Sequence, residues 1–240
     1  MALVTGSSRG IGKATALLFA KEGADVIVNY KTSKKKAIEV VEGIQKIGRK
    51  SFAVKCDVSQ ESEVKGMVEM IIKEFGKIDI LVNNAGIVID VPFNERMVEH
   101  WRKTLEVNLI GAFLCSKYVA PFMKKNKYGR IVNVSSTNGI GSFDPSSMDY
   151  DASKAGIIVM TKSLAEELAP YVLVNSVAPG WVDTDINKGL SGDFIKEEIK
   201  RTALKRFAKP EEIARVIAFL ASDDSSFMTG SIIVADGGYR

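Results

Sequence analysis

The chain has 240 residues, 46% apolar and 26% charged, with a net charge of +4, the profile of a globular protein with one well-filled core. It excludes disordered, collagenous and disulfide-rich classes, and the mild charge argues against a nucleic-acid partner. No apolar run reaches the roughly 18 residues that cross a bilayer, and the opening Met1-Ala2-Leu3-Val4-Thr5-Gly6 has neither a basic segment nor a cleavage site, so a soluble, cytoplasmic protein without membrane attachment is expected.

Along the chain, short β-branched runs alternate with amphipathic segments of a dozen or more residues, the signature of repeated βα units around a parallel sheet. Strands are predicted over 2–5, 25–30, 52–55, 80–83, 130–135, 173–178 and 231–235, and helices over 11–22, 34–47, 61–75, 98–125, 150–168 and 211–221. Most strands are continuous apolar runs, which predicts helices covering both faces. Gly23 and Gly48 stand where glycine releases a helix, and Pro210 where a first-turn proline starts one. Lys34, Lys35 and Lys36 open the second helix, either as a solvated end or turned toward a phosphate. No linker or repeat divides 1–240, so one domain is expected.

Two segments break the rhythm. Residues 139–149, rich in Gly, Ser, Pro and Asp, form a loop after the fifth strand, and 183–204, after Pro179-Gly180, reads as a loop with a short helix. Ligands of open α/β sheets bind at the carboxyl ends of the strands, so both segments are placed to cover a substrate, the second as a lid. Cys56 and Cys115 stand alone in unrelated segments, and His100 is the only histidine, which disfavours a metal site and a Ser-His-Asp triad.

The first strand runs straight into Thr5-Gly6-Ser7-Ser8-Arg9-Gly10-Ile11-Gly12 and then a helix. Glycines there let a backbone approach a ligand closely, and the helix start offers free N–H groups to a pyrophosphate. The spacing is GxxxGxG rather than GxGxxG, so this turn alone is a weak signal. Three further motifs follow: Asn83-Asn84-Ala85-Gly86 after the fourth strand, Tyr150-Asp151-Ala152-Ser153-Lys154 in a helix, and Pro179-Gly180 after the sixth strand.

Together these motifs, over essentially the whole chain and in order, resemble the short-chain dehydrogenase/reductase family. The resemblance implies a single Rossmann-type domain, a doubly wound α/β fold whose seven parallel strands run 3-2-1-4-5-6-7. It also implies a nicotinamide cofactor and a homotetramer. For the cofactor it implies contacts from Gly6, Ser8, Arg9, Gly10, Ile11 and Gly12, from Asn29, Tyr30 and Lys31, and from Asp57 (to the adenine amino group) with Val58. It extends them to Asn84, Ala85, Gly86, Pro179, Gly180, Val182 and Thr184, besides Tyr150 and Lys154. NAD enzymes usually place an acid at the end of the second strand. Here Asn29-Tyr30-Lys31-Thr32-Ser33 has none, while Arg9 and Lys31 suit a 2′-phosphate, so NADP(H) is expected over NAD(H).

Tyr150 and Lys154, four residues apart on a helix, share one face. An ammonium beside a phenol, whose ordinary pKa is about 10, favours the phenolate that proton transfer at neutral pH needs. By the resemblance, Ser136 hydrogen-bonds the substrate oxygen, Asn108 bends its helix and holds a water beside the lysine, Tyr150 is the general acid/base, and Lys154 also holds the nicotinamide ribose. The expected reaction interconverts a carbonyl and an alcohol. Two departures stand out: the Ser136-to-Tyr150 interval is a residue longer than in many relatives, and 170–175 is a residue shorter than the usual turn, without its glycine and arginine.

Three activities remain open. A 3-oxoacyl-acyl-carrier-protein reductase is suggested by 179–184 and 206–212, and a sugar or polyol dehydrogenase or general carbonyl reductase shares the same motifs. A non-catalytic NADP-binding sensor is the third. Segments 87–96, 139–149 and 183–204 separate the first two, and Lys188, Lys196, Lys200, Arg201 and Lys205 would offer a carrier-bound acyl thioester a basic entrance.

Overall fold

The computed structural model describes every residue except Lys188, and for Ile186 the backbone alone; Lys188 therefore lies outside the described residues. Seven strands, β1 (Ala2–Val4), β2 (Val26–Tyr30), β3 (Ser51–Lys55), β4 (Ile80–Asn83), β5 (Gly129–Val134), β6 (Val172–Pro179) and β7 (Ile232–Ala235), make one parallel sheet in the order β3-β2-β1-β4-β5-β6-β7. Val4 of β1 pairs with Val28 of β2 on one side and Val82 of β4 on the other. The strand order reverses at that point, opening a crevice at the carboxyl edge.

Alternation along each strand fills two cores. Ala2, Val4, Val26 and Val28 point to the face covered by α1 (Gly10–Lys21), α2 (Lys34–Lys46) and α8 (Pro210–Ala221), where Phe19, Ile44, Ile213 and Ile217 meet them. Leu3, Ile27, Leu81 and Ile131 point to the other, among Met67 and Ile71 of α3 (Glu61–Phe75), Met123 of α5 (Gly111–Lys125) and Leu168 of α6 (Met148–Leu168). Each such fully buried side chain stabilises the fold by about 1.5–3 kcal/mol. Cys56 and Cys115 are free and buried in the second core, and burial pushes the Cys56 thiol up to about 12, so neither is a ready nucleophile.

The predicted strands and helices appear within two residues of their expected ends, with one difference. The helix expected over 98–125 is three pieces: α4 (Val98–Leu105), a π-helical turn (Glu106–Ile110) and α5. The cause is Asn108, whose amide leaves the helix surface to bind another segment, a common origin of π turns at working sites. In 183–204 a ten-residue helix, α7 (Gly192–Arg201), takes up half the segment, begun by Ser191, whose hydroxyl accepts from the Phe194 N–H. Glu198 of α7 is buried, accepting from Trp181 Nε1 at 2.7 Å and from the Tyr239 hydroxyl. Among the described residues no helix is long and apolar enough to cross a membrane.

Candidate active site

The candidate site at the crevice has two halves, one around the glycine turn after β1 and one around Tyr150. In the first, Gly6 and Gly10 take positive φ (61° and 55°), which L side chains disfavour. A Cβ on Gly12 would lie 2.5 Å from Asn84 Nδ2, and one on Gly6 would lie 2.9 Å from the Ala85 Cα. The glycines therefore seat the turn against the segment after β4. Asn84 donates from Nδ2 to the Thr5 and Gly6 carbonyls, and Thr5 Oγ1 accepts the N–H groups of Asn84 and Ala85.

Helix α1 begins with no side-chain cap and no acid in its first turn, so its leading N–H groups are left for an anion. The turn thus fits a dinucleotide pyrophosphate. Beside it, a Cβ on Gly10 would lie 3.5 Å from the Thr184 methyl, and Gly180 is so close to Asp236 (2.9 Å from a Cβ to its Cα) that no larger residue fits. Val182 bridges to Ala208.

Asn29 serves this half from below: its Oδ1 accepts the Gly6 N–H at 3.0 Å and its Nδ2 donates to the Cys56 carbonyl at 3.1 Å. Its side chain therefore braces the turn against β3. Tyr30 is buried in the first core, and Val58 in the second, against Gly111. Lys31 and Asp57 pair at 2.6 Å. Burial alone would raise the Asp57 carboxyl, but hydrogen bonds from Lys31 and Ser59 outweigh it and hold it below the ordinary value. Arg9 is exposed and makes no ion pair among the described residues.

In the second half, Ser136 lies two residues past the end of β5 and Tyr150 and Lys154 sit in the first turns of α6. Ser136 is near enough to the Tyr150 phenol to lower its pKa, and Lys154 Nζ lies 5.4 Å from the centre of the Tyr150 ring. Lys154 is buried and donates to the Val134 carbonyl at 2.8 Å. Ser135 turns instead to its own main chain. Ser136 Oγ accepts the Asn138 N–H at 3.2 Å, capping the short 3₁₀ turn Thr137–Gly139. With a second such turn, Pro145–Ser147, this takes up the longer interval before Tyr150.

Burial sets the charge states. It raises Tyr150 to about 12, against a lowering contribution from Ser136, with nearby Asp151 and Asp90 adding to the rise. It lowers Lys154 to about 8. The phenol is thus pushed up, not down as spacing from an ammonium suggested, because desolvation, with Asp151 and Asp90, outweighs the lowering by Ser136.

Asn108, 2% exposed, locks the Ile87 backbone on both sides, accepting its N–H at 2.8 Å and donating to its carbonyl at 2.9 Å. It also donates to Ser153 Oγ at 3.0 Å. Gly86, exposed beside it, leaves room that a Cβ would fill 3.3 Å from Asn108 Oδ1 and 3.7 Å from Lys154 Nζ. The π turn, the Asn83-Asn84-Ala85-Gly86 motif and α6 therefore meet at the lysine.

Three features escaped sequence reading. A buried polar chain joins Ser116, Asn83, Asn133 and Thr161 across β4 and β5. Gly139 touches the α6 backbone at Lys154. Arg96 and Asp149 form an ion pair with side chains 2% and 0% exposed. The place of Asn83 in the Asn83-Asn84-Ala85-Gly86 motif was the only available hint of the first; the others join residues too distant in sequence to signal each other. Of the expected basic entrance, Lys196, Lys200 and Arg201 pair with Asp193, Glu197 and Glu198 on their own helix, and Lys205 donates to the Lys200 carbonyl.

A seven-stranded parallel sheet with a glycine turn at its switch point and a Ser-Tyr-Lys group at the same edge defines an oxidoreductase of the Rossmann type. Comparison with known proteins is specific. A family model described as enoyl-(acyl carrier protein) reductase matches residues 6–240. The 3-oxoacyl-acyl-carrier-protein reductase of Staphylococcus epidermidis is 42% identical over 238 residues, covering 99% of this chain and 97% of that protein. A short-chain type dehydrogenase/reductase from Mycobacterium marinum superposes with a TM-score of 0.94 at 37% identity, covering 100% of this chain and 94% of the other. Acetoin dehydrogenase from Salmonella typhimurium gives 0.90 at 34% identity, covering 100% and 95%. The chain belongs to the short-chain dehydrogenase/reductase family, and is an oxidoreductase acting on CH–OH and C=O groups.

Proposed function

We propose that the protein is an NADP(H)-dependent reductase of 3-oxoacyl thioesters, most similar in activity to the acyl-carrier-protein reductases, in which Tyr150 protonates the substrate oxygen. The observation that carries the reading is the placement of buried Lys154, bonded to the Val134 carbonyl, 5.4 Å from the centre of the Tyr150 ring, with Ser136 close to the phenol. The full-length 42% identity to a 3-oxoacyl-acyl-carrier-protein reductase supports the substrate class.

When bound, the nicotinamide cofactor supplies the hydride, or accepts it in reverse. Ser136 hydrogen-bonds the carbonyl oxygen as charge develops there. Tyr150, protonated at neutral pH with a pKa of about 12, is an acid ready to donate to that oxygen. Lys154, at about 8, is the group in the cluster that can return a proton near neutral pH. Oxidation needs the phenolate, which burial disfavours, so these charge states favour reduction.

The absence of an acid in Asn29-Tyr30-Lys31 and the exposed, unpaired Arg9 support NADP(H) over NAD(H). A 2′-phosphate would compete with Asp57 for Lys31. The segment 183–204 acts as a lid, held at one end by the Lys36–Asp185 bridge (2.9 Å) and at the other by buried Glu198. Two exposed apolar faces, Ile110 and Phe113 on one side and Phe219, Phe227 and Val234 on another, support a homotetramer built on two interfaces.

One observation favours a second reading, a small hydroxyketone or polyol substrate: the described basic residues near the lid are paired on their own segment. Cofactor oxidation across acetoacetyl thioesters, ketones, acetoin, aldoses and polyols, with NADPH and NADH, decides between them. The highest kcat/KM is expected for the thioester with NADPH; a higher value for acetoin or a polyol replaces the first reading with the second.

A further inference from the structure

The segment 87–96 and the loop 139–149 meet beside the helix of Tyr150, and each ends on one member of a buried ion pair. Arg96 Nη1 bonds Asp149, which immediately precedes Tyr150 in the first turn of α6. Arg96 Nη2 donates to the Ile89 carbonyl at 2.8 Å, to that of Val91 at 3.3 Å, and to that of Ser146. The Val91 N–H also reaches the Ser146 carbonyl at 3.0 Å. One guanidinium thus gathers three main-chain carbonyls from two segments and one carboxylate from the helix of Tyr150.

A buried ion pair is an expensive way to stabilise a fold. Desolvating two charges costs several kcal/mol each, and apolar side chains of similar volume often serve stability as well or better. The Arg96 Nε and Asp149 Oδ2 also remain without hydrogen-bond partners, so the arrangement is not optimised for stability. Its geometric content is high, because a planar fork fixes direction as well as distance. On the other side of α6's first turn, Asp151 accepts from Asn138 Nδ2 at 2.7 Å and from the Asp144 N–H at 2.9 Å. Tyr150 therefore lies between two carboxylates, each tied to a different part of the site wall.

We infer that Arg96, acting through Asp149, is a positioning residue that fixes Tyr150 and joins segment 87–96 to loop 139–149 as one wall of the substrate site. This rests on the reading of Tyr150 as the proton donor. Displacing a reacting group by about an ångström can cost on the order of a hundredfold in rate, so loosening this wall acts on kcat. The dinucleotide cradle, built from the turn after β1 and from Asn84, shares no residue with the pair and is unaffected.

The test uses four full-length proteins: wild type, Tyr150→Phe, Arg96→Lys, and the double variant Arg96→Met with Asp149→Leu. Each is assayed on the substrate with the highest wild-type kcat/KM, with melting temperature and NADPH Kd measured beside it. Lysine keeps the charge but lacks the fork, and the double variant removes both charges while filling the volume. Arg96→Lys is expected to lower kcat roughly tenfold to a hundredfold, with NADPH Kd unchanged. The double variant is expected to melt like wild type and yet stay as slow. Wild-type kcat in either folded variant overturns the inference, and if the double variant does not fold, Arg96→Lys decides alone. Full activity in Tyr150→Phe would instead remove the reading beneath it, whereas an inactive Tyr150→Phe beside a fully active Arg96→Lys removes only the role of Arg96.

Discussion

Gly139 and Lys154 meet backbone to backbone: a Cβ on Gly139 would lie 2.6 Å from the Lys154 carbonyl carbon and 2.7 Å from the Ala155 nitrogen. The loop that carries Ser136 is thereby pressed onto the helix that carries Tyr150. No flexible side chain stands between them to give way.

Gly139→Ala must therefore part loop and helix. Overpacking of this kind costs about 1–3 kcal/mol, and here it also separates Ser136 from Tyr150. A lower melting temperature is expected together with a fall in kcat of the folded enzyme. Denaturation and steady-state kinetics on the same sample check it; a stable variant with wild-type kcat would mean that the contact is not needed.

Lys154 gives a prediction whose sign depends on pH. Its pKa is about 8 folded against an ordinary value near 10.5, so below pH 8 both states are charged and the folded state bears the full cost of burying the ammonium. Between pH 8 and 10.5 the unfolded chain binds the extra proton, so stability rises with pH through that window. Lys154→Met removes the cost, of about 3 kcal/mol, less the lost bond to Val134. The variant is expected to be inactive yet to melt no lower than wild type at pH 7, with any advantage shrinking as the pH rises above 8. Thermal melts at pH 7 and pH 10 check both parts.

Arg9→Ala tests the choice of cofactor. With the exposed cation gone from the glycine turn, KM for NADPH is expected to rise roughly tenfold, as for a lost charge-assisted hydrogen bond, and that for NADH to change little. Equal effects on both cofactors would assign Arg9 to the shared pyrophosphate; no effect would leave the 2′-phosphate to Lys31.

Much of this was legible because local chemistry and global position agree. The βα rhythm fixed the strands, and the glycine turn, Asn84-Ala85-Gly86, Ser136 and the Tyr150–Lys154 pair all fall at one sheet edge. The π turn was not legible: an extra residue in one turn leaves the apolar pattern of 98–125 nearly intact, and Asn108 looks like any polar helix residue. Asn29 was legible as a position but not in its use, since only the fold shows its amide facing the Gly6 N–H. Arg96 and Asp149, 53 residues apart, read as ordinary loop charges until the chain closes over them. The direction of the Tyr150 shift depended on burial, which spacing does not report.

The central claim is that the Tyr150 hydroxyl, near Ser136 and beside Lys154, moves the proton. Tyr150→Phe removes that one oxygen and leaves the ring in place. Steady-state reduction measured alongside NADPH binding is expected to show kcat lower by about 10² to 10⁴ with the cofactor Kd unchanged. A variant that binds NADPH and retains wild-type kcat would contradict the account.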